Sequence, residues 1–219
     1  MTHVKICGIK CIEDALAAID AGADYLGFNF YPKSIRSIDP QDCKRITTIL
    51  KSAHPSIQLV GVFVNTPVVE IQAIQKQCLL DLVQLHGDES PADLAALGST
   101  AYKAFRGLPD RLEEYLHNSK PAFLLDASSA YAYGGTGKTA DWSAAASLAR
   151  QHPLFLAGGL TPENVSDAIL QVRPWGVDVA SGVESAPGMK GMVKMRTFVR
   201  MVHLADLESD NTLTQLETK

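Results

Sequence analysis

With 219 residues, the chain has room for one large α/β domain or two small ones. Apolar residues make up 46% and charged residues 20%, and the formal charge is −4, which excludes the basic balance that nucleic acid or an anionic membrane calls for. No apolar run is long enough to span a bilayer, and the chain starts directly on a strand without a signal-peptide core, so a cytoplasmic protein is expected.

The chain opens on Val4-Lys5-Ile6-Cys7-Gly8, a short strand with β-branched residues two apart, ending in a thiol and a turn glycine. A helix follows, with Glu13 and Asp14 in its first turn, an apolar stripe of Ala15, Leu16, Ala18 and Ile19, and Gly22 as its stop. Tyr25 to Phe30 reads as the second strand, leading to a loop that ends at Arg36. Asp39-Pro40 opens the second helix, and the apolar run from Ile57 to Val64 is the third strand, buried on both faces. Thr66 caps the third helix, and Asp81 to Leu85 is a strand ending in His86-Gly87. A helix from Pro91 closes at Gly98, and the fifth strand, Ala101 to Phe105, ends in Arg106. A fifth helix is expected from Asp110 to about His117, then a strand ending in Asp126. Asp141 caps a sixth helix. Strand seven ends in Gly158-Gly159, Thr161-Pro162-Glu163 starts helix seven, and strand eight ends in Ser181-Gly182. A last helix is expected from about Lys190 to His203.

Eight strands alternating with eight helices predict a single (β/α)8 TIM barrel over 1–204, with 205–219 as a loose acidic tail. In that fold the strand C-termini line one rim, which gathers Cys7, Arg36, His86 and Asp126. Each also has a plainer explanation: a small buried thiol, a surface charge, a hydrogen-bonded loop histidine, a turn carboxylate. Gly158-Gly159 and Ser181-Gly182 fall where barrels bind phosphate through backbone N–H groups. Gly134-Gly135-Thr136-Gly137-Lys138-Thr139 is not a Walker A loop, because Ala132 stands where its first glycine belongs. It reads as a flexible loop able to fold over a ligand. The four cysteines, Cys7, Cys11, Cys43 and Cys78, lack zinc-site spacing, so free thiols and no metal are expected.

These pieces, taken in order, resemble the phosphoribosylanthranilate isomerases of tryptophan biosynthesis. Lys5 to Ile9, Gly27 to Arg36, Gly61 to Asn65, Gln84 to Glu89, Leu124 to Asp126, Gly134 to Thr139, Ala157 to Val165 and Gly176 to Glu184 carry the resemblance. It implies an Amadori rearrangement of an aldose to a ketose, with Cys7 as general base and Asp126 as general acid. Arg36 would hold the anthranilate carboxylate. Gly134, Gly135, Gly158, Gly159, Ser181 and Gly182 would hold the phosphate of a small phosphorylated substrate. His86 and Asp178 are expected at the substrate, as contacts or as supports. No cofactor is expected, because the substrate nitrogen supplies the imine. A monomer is expected, with a homodimer as the alternative.

The chemistry asks for the same types. Opening the furanose needs an acid that keeps its proton near neutrality, and removing the C2 proton needs a thiolate, so the Cys7 thiol should titrate below its usual range or be paired with Asp126 in one coupled titration. The competing readings are the histidine-pathway sugar isomerase, which would use paired aspartates, indole-glycerol-phosphate synthase, which would want lysines at its strand ends, and a phosphosugar binder without catalysis.

Overall fold

The computed structural model describes residues 1–116, 119–127 and 142–217, and side chains up to residue 209. Eight strands close a parallel barrel in sequence order: β1 (His3–Cys7), β2 (Tyr25–Asn29), β3 (Gln58–Phe63), β4 (Leu82–Leu85), β5 (Ala101–Arg106), β6 (Phe123–Asp126), β7 (Leu154–Ala157) and β8 (Gly176–Val179). β8 pairs back on β1, with Val4 opposite Val177 and Lys5 opposite Asp178.

Strand parity decides what each side chain meets, because successive residues face opposite sides of a sheet. Val4, Ile6, Leu26, Phe28, Leu59, Phe63 and Val177 face outward into the main apolar core beneath the helices. Tyr25, Val60, Tyr102, Leu124 and Phe155, of the other parity, fill the barrel interior with Trp175. Each fully buried Leu, Val, Ile or Phe contributes about 1.5–3 kcal/mol. The interior is thus a packed plug on which the polar layer at the mouth rests.

The helices are α1 (Ile12–Ala21), α2 (Pro40–Ala53), α3 (Val68–Gln77), α4 (Pro91–Leu97), α5 (Ser143–Ala149), α6 (Val165–Val172) and α7 (Met192–Glu217). Their caps follow from sequence. Gly22 ends α1 at φ 102°, and the Asp39 carboxylate accepts from Gln41 N at the start of α2. Ser90 and Asp93 form a reciprocal capping box on α4.

Four expectations need correction. The fifth helix is only a 3-10 turn, Leu112–Tyr115, with Leu112 as its one buried side chain. That single anchor leaves no apolar stripe to hold a longer helix. Pro67, not Thr66, is the N-cap of α3. The chain after β8 makes a small antiparallel hairpin, β9 (Glu184–Ala186) with β10 (Met189–Lys190), before α7 begins. Finally, α7 runs well past His203. Met195, Phe198, Val199, Val202 and Ala205 form one buried helical stripe, and Asp206 accepts from the Thr2 N–H at 2.7 Å and its hydroxyl at 2.6 Å. The start of the expected loose tail is therefore part of the barrel wall. Asp141, Gly134 and Gly135 lie outside the described residues.

Candidate active site

At the C-terminal mouth a cavity of about 300 Å³ brings the expected residues together. Cys7, Arg36, His86 and Asp126 line it, as do Gly158, Gly159, Asp178 and Ser181. Gly182 is not in its lining. It packs so closely on Leu160 that a Cβ there would lie 1.9 Å from the Leu160 carbonyl oxygen. It shapes the loop after β8 rather than the cavity wall. A second cavity of about 420 Å³ adjoins through His86. The thiol and the Asp126 carboxyl are both in the smaller one.

Cys7 is the last residue of β1 and is buried. Its neighbour on β2 is Gly27, where a Cβ would sit 2.7 Å from the Cys7 sulfur. The thiol thus occupies space that only a glycine leaves. Burial pushes the thiol up from its ordinary range, opposed by the Lys5 and Lys190 ammonium groups. The expected lowering of Cys7 is therefore not realised in net terms, because desolvation outweighs its cationic neighbours.

Arg36 is placed by a loop folded on itself. Ser34 N donates to the Tyr31 carbonyl, Tyr31 N to Asn29 Oδ1, and Arg36 N to the Ser34 hydroxyl. Gly8, at φ 84°, lets the Arg36 side chain cross it; a Cβ there would meet Arg36 Cδ at 2.8 Å. The guanidinium is not free. Its Nε and Nη2 donate to the two oxygens of Glu184 at 2.6 and 2.8 Å. A guanidinium has five N–H donors, so three remain for a ligand carboxylate.

The sequence reading missed the residues that support this layer. Lys5 Nζ lies inside the barrel and donates to Asp178 Oδ1 at 2.7 Å and Gln84 Oε1 at 2.9 Å. Tyr102 OH donates to the same Gln84 oxygen. The Gln84 amide nitrogen, at 3.1 Å, then donates to His86 Nδ1, which makes Nε2 the protonated nitrogen. Burial lowers the His86 pKa against the opposing pull of Asp126 and Asp178, so the ring is neutral near pH 7. Glu184 and Lys190, 3.2 Å apart, come from the unexpected hairpin. A visible signal existed: Lys5 and Gln84 are polar residues at interior parity within apolar strands.

Lys103, on β5, faces the other way. It is 5% exposed and pairs with Glu89, itself 3% exposed, at 3.0 Å. Glu89 also accepts from Asn65 N and Gly87 N, and so ties the loops after β3 and β4 together. Neither Lys5 nor Lys103 ends its strand, and both are committed to carboxylates.

Residues 4–201 match the family model of N-(5'-phosphoribosyl)anthranilate isomerase. The chain belongs to that family. The isomerase of Geotalea uraniireducens is 50% identical over 204 residues, covering 91% of this chain and 98% of that protein. That of Geobacter metallireducens is 48% identical over 202 residues, with the same coverage. Among solved structures, the isomerase from Thermotoga maritima superimposes with a TM-score of 0.80 at 40% identity, covering 92% of this chain and 98% of that one. An isomerase in complex with reduced 1-(o-carboxyphenylamino)-1-deoxyribulose 5-phosphate has a TM-score of 0.77 at 38% identity, covering 91% and 97%. The readings as a histidine-pathway or indole-glycerol-phosphate enzyme, or as a binder without catalysis, are not favoured beside these relatives.

Within the isomerase barrel, the two glycines after β7 hold positive φ, 96° at Gly158 and 68° at Gly159. With Ser181, which opens the 3-10 turn Ser181–Val183 after β8, they line the cavity.

Proposed function

We propose that Cys7 and Asp126 are the base and acid of this isomerase. The chain is a phosphoribosylanthranilate isomerase of tryptophan biosynthesis, turning the aldose N-(5-phosphoribosyl)anthranilate into the ketose 1-(2-carboxyphenylamino)-1-deoxyribulose 5-phosphate. The observation that carries the residue roles is that β1 and β6, which are not sheet neighbours, deliver a thiol and a carboxyl to one cavity.

Asp126 gives its proton to the furanose ring oxygen, the C1–O bond breaks, and the anthranilate nitrogen becomes an iminium. That cation acidifies C2–H. The Cys7 thiolate takes the C2 proton, and the electron pair moves to form an enolamine. The thiol returns a proton to C1 while the C2 hydroxyl gives its proton up to the Asp126 carboxylate, so the C2 carbonyl of the ketose forms and both groups are reset. Acid–base groups of this kind each contribute roughly 10²–10⁴-fold in rate.

The remaining Arg36 donors hold the anthranilate carboxylate, with the guanidinium plane set by Glu184. The N–H groups around Gly158, Gly159 and Ser181 hold the phosphate, Gly182 fixing the turn beneath. His86 offers its Nε2–H to the substrate. Asp178 acts as the partner of Lys5. A cytoplasmic site fits the described helices, none of which is long and apolar enough to cross a membrane.

The test follows anthranilate-type fluorescence as phosphoribosylanthranilate, generated in situ, is consumed. Parent protein removes it rapidly. Cys7→Ser and Asp126→Asn, folded by circular dichroism, remove it at least ~10²-fold more slowly. Full activity in either variant refutes that residue's role.

A further inference from the structure

Below Cys7, on the same side of β1, lies a lysine that the acid–base scheme leaves without a task. Residues two apart on a strand share a face, so Lys5 and Cys7 both project into the barrel, Lys5 one layer deeper. Its side chain is 0% exposed. An ammonium has three N–H donors. Two are spent on Asp178 and Gln84, and the charge of the same nitrogen acts on the Cys7 thiol above it.

The layer underneath shows that a barrel of this size can be filled with Leu124, Phe155 and Tyr25. A buried ion pair is no more stabilising than such packing. Charge at this position needs a reason other than stability. The groups facing Cys7 supply one. Lys5 reaches it from β1, Lys190 from β10 and Arg36 from the loop after β2. Asp178 opposes from β8, the Tyr102 phenol lies on β5, and Glu184 neutralises through Arg36 and Lys190. Asp126 and the neutral His86 share the cavity. Lys5, Lys190 and Arg36 thus act on the thiol with one sign and Asp178 with the other, while Glu184 is paired with Arg36 and Lys190.

We propose that Lys5 is the positioning residue of the thiol base: its ammonium, aimed by Asp178 and Gln84, is the fixed counter-charge that lets the thiolate form inside a cavity that strips it of water. The proposal rests on Cys7 being the base. It also assigns opposite signs to two neighbours. Lys5 favours the thiolate, while Asp178 restrains Lys5 and disfavours the thiolate.

The experiment measures the pH dependence of Cys7 alkylation by iodoacetamide, read by mass spectrometry on the Cys7 peptide, which trypsin separates from Cys11 at Lys10. Lys5→Met moves the midpoint up by about one pH unit or more and slows alkylation at pH 7 about tenfold. Asp178→Asn moves the midpoint down. Lys5→Arg stays close to the parent. A purely structural lysine predicts no movement, or the same direction for both neutralising variants, and either result overturns the proposal. If Lys5→Met does not fold, the sign of the Asp178→Asn shift decides. The base assignment fails separately: an active Cys7→Ser removes it whatever the alkylation profile, whereas an inactive Cys7→Ser with an unmoved midpoint in Lys5→Met removes only the role of Lys5.

Discussion

Gly27 is the most sensitive neighbour of the thiol, and Gly27→Ala tests the site with a single methyl group. The new Cβ would stand 2.7 Å from the Cys7 sulfur, 3.1 Å from its Cα and 3.2 Å from its Cβ. Ordinary carbon contacts lie near 3.5–4.0 Å, so the sulfur must retreat by about 1 Å. Rotation about χ1 relieves the sulfur alone; the Cα and Cβ contacts remain. The strands cannot simply part, because Gly8 N and Ile9 N both donate to the Gly27 carbonyl, at 2.9 and 3.0 Å. Overpacking of this kind costs about 1–3 kcal/mol. For a chain of this size that lowers Tm by roughly 2–12 °C. A catalytic group displaced by about 1 Å costs on the order of 10² in rate, so kcat should fall on that scale. The assays are a thermal melt and the fluorescence assay at saturating substrate. A variant with unchanged Tm and kcat within about threefold of the parent would refute the reasoning, since a 10² loss is expected from the displacement.

Two further outcomes follow from the charged clusters. Burial tends to raise the Glu184 carboxyl, but the hydrogen bonds from Arg36 and Gly188 and the charge of Lys190 hold it down at about 2, against an ordinary value of 4.5. A depressed carboxyl stabilises the fold above its unfolded value and loses that contribution as pH falls through its folded one. Urea unfolding of parent and Glu184→Gln should therefore show a stability gap that is full above about pH 4.5 and shrinks toward pH 2; a gap independent of pH would contradict the pairing. Glu89→Ala strips Lys103 of its buried partner and leaves Asn65 N and Gly87 N without their acceptor, a loss of about 3–5 kcal/mol on urea unfolding. A loss below about 1 kcal/mol would show that water replaces the carboxylate.

Much of the molecule is legible in the amino-acid order because its signals are local. Strand ends, Gly22, the Asp39-Pro40 start and the alternation of β and α units each depend on a few adjacent residues. Together they bring Cys7, Arg36, His86 and Asp126 to one rim, since a closed parallel barrel places every strand C-terminus there. The fifth helix and the end of α7 are not local matters. One lacks a buried stripe, and the other gains its length from packing and from the Thr2–Asp206 contact across the chain termini.

The charge balance around the thiol comes from the closing of the barrel. Lys5 looks like any polar residue on a half-exposed strand until barrel closure puts its parity inside, opposite Asp178 and beside Gln84. Arg36 reads as an open fork until the β9–β10 hairpin brings Glu184, 148 positions along the chain, onto two of its donors. Residue order alone settles which chemical groups reach the mouth of the barrel. Their partners, and therefore their protonation, were set by the closing of the sheet, because electrostatic energies depend on distance and burial in space and not on separation along the chain.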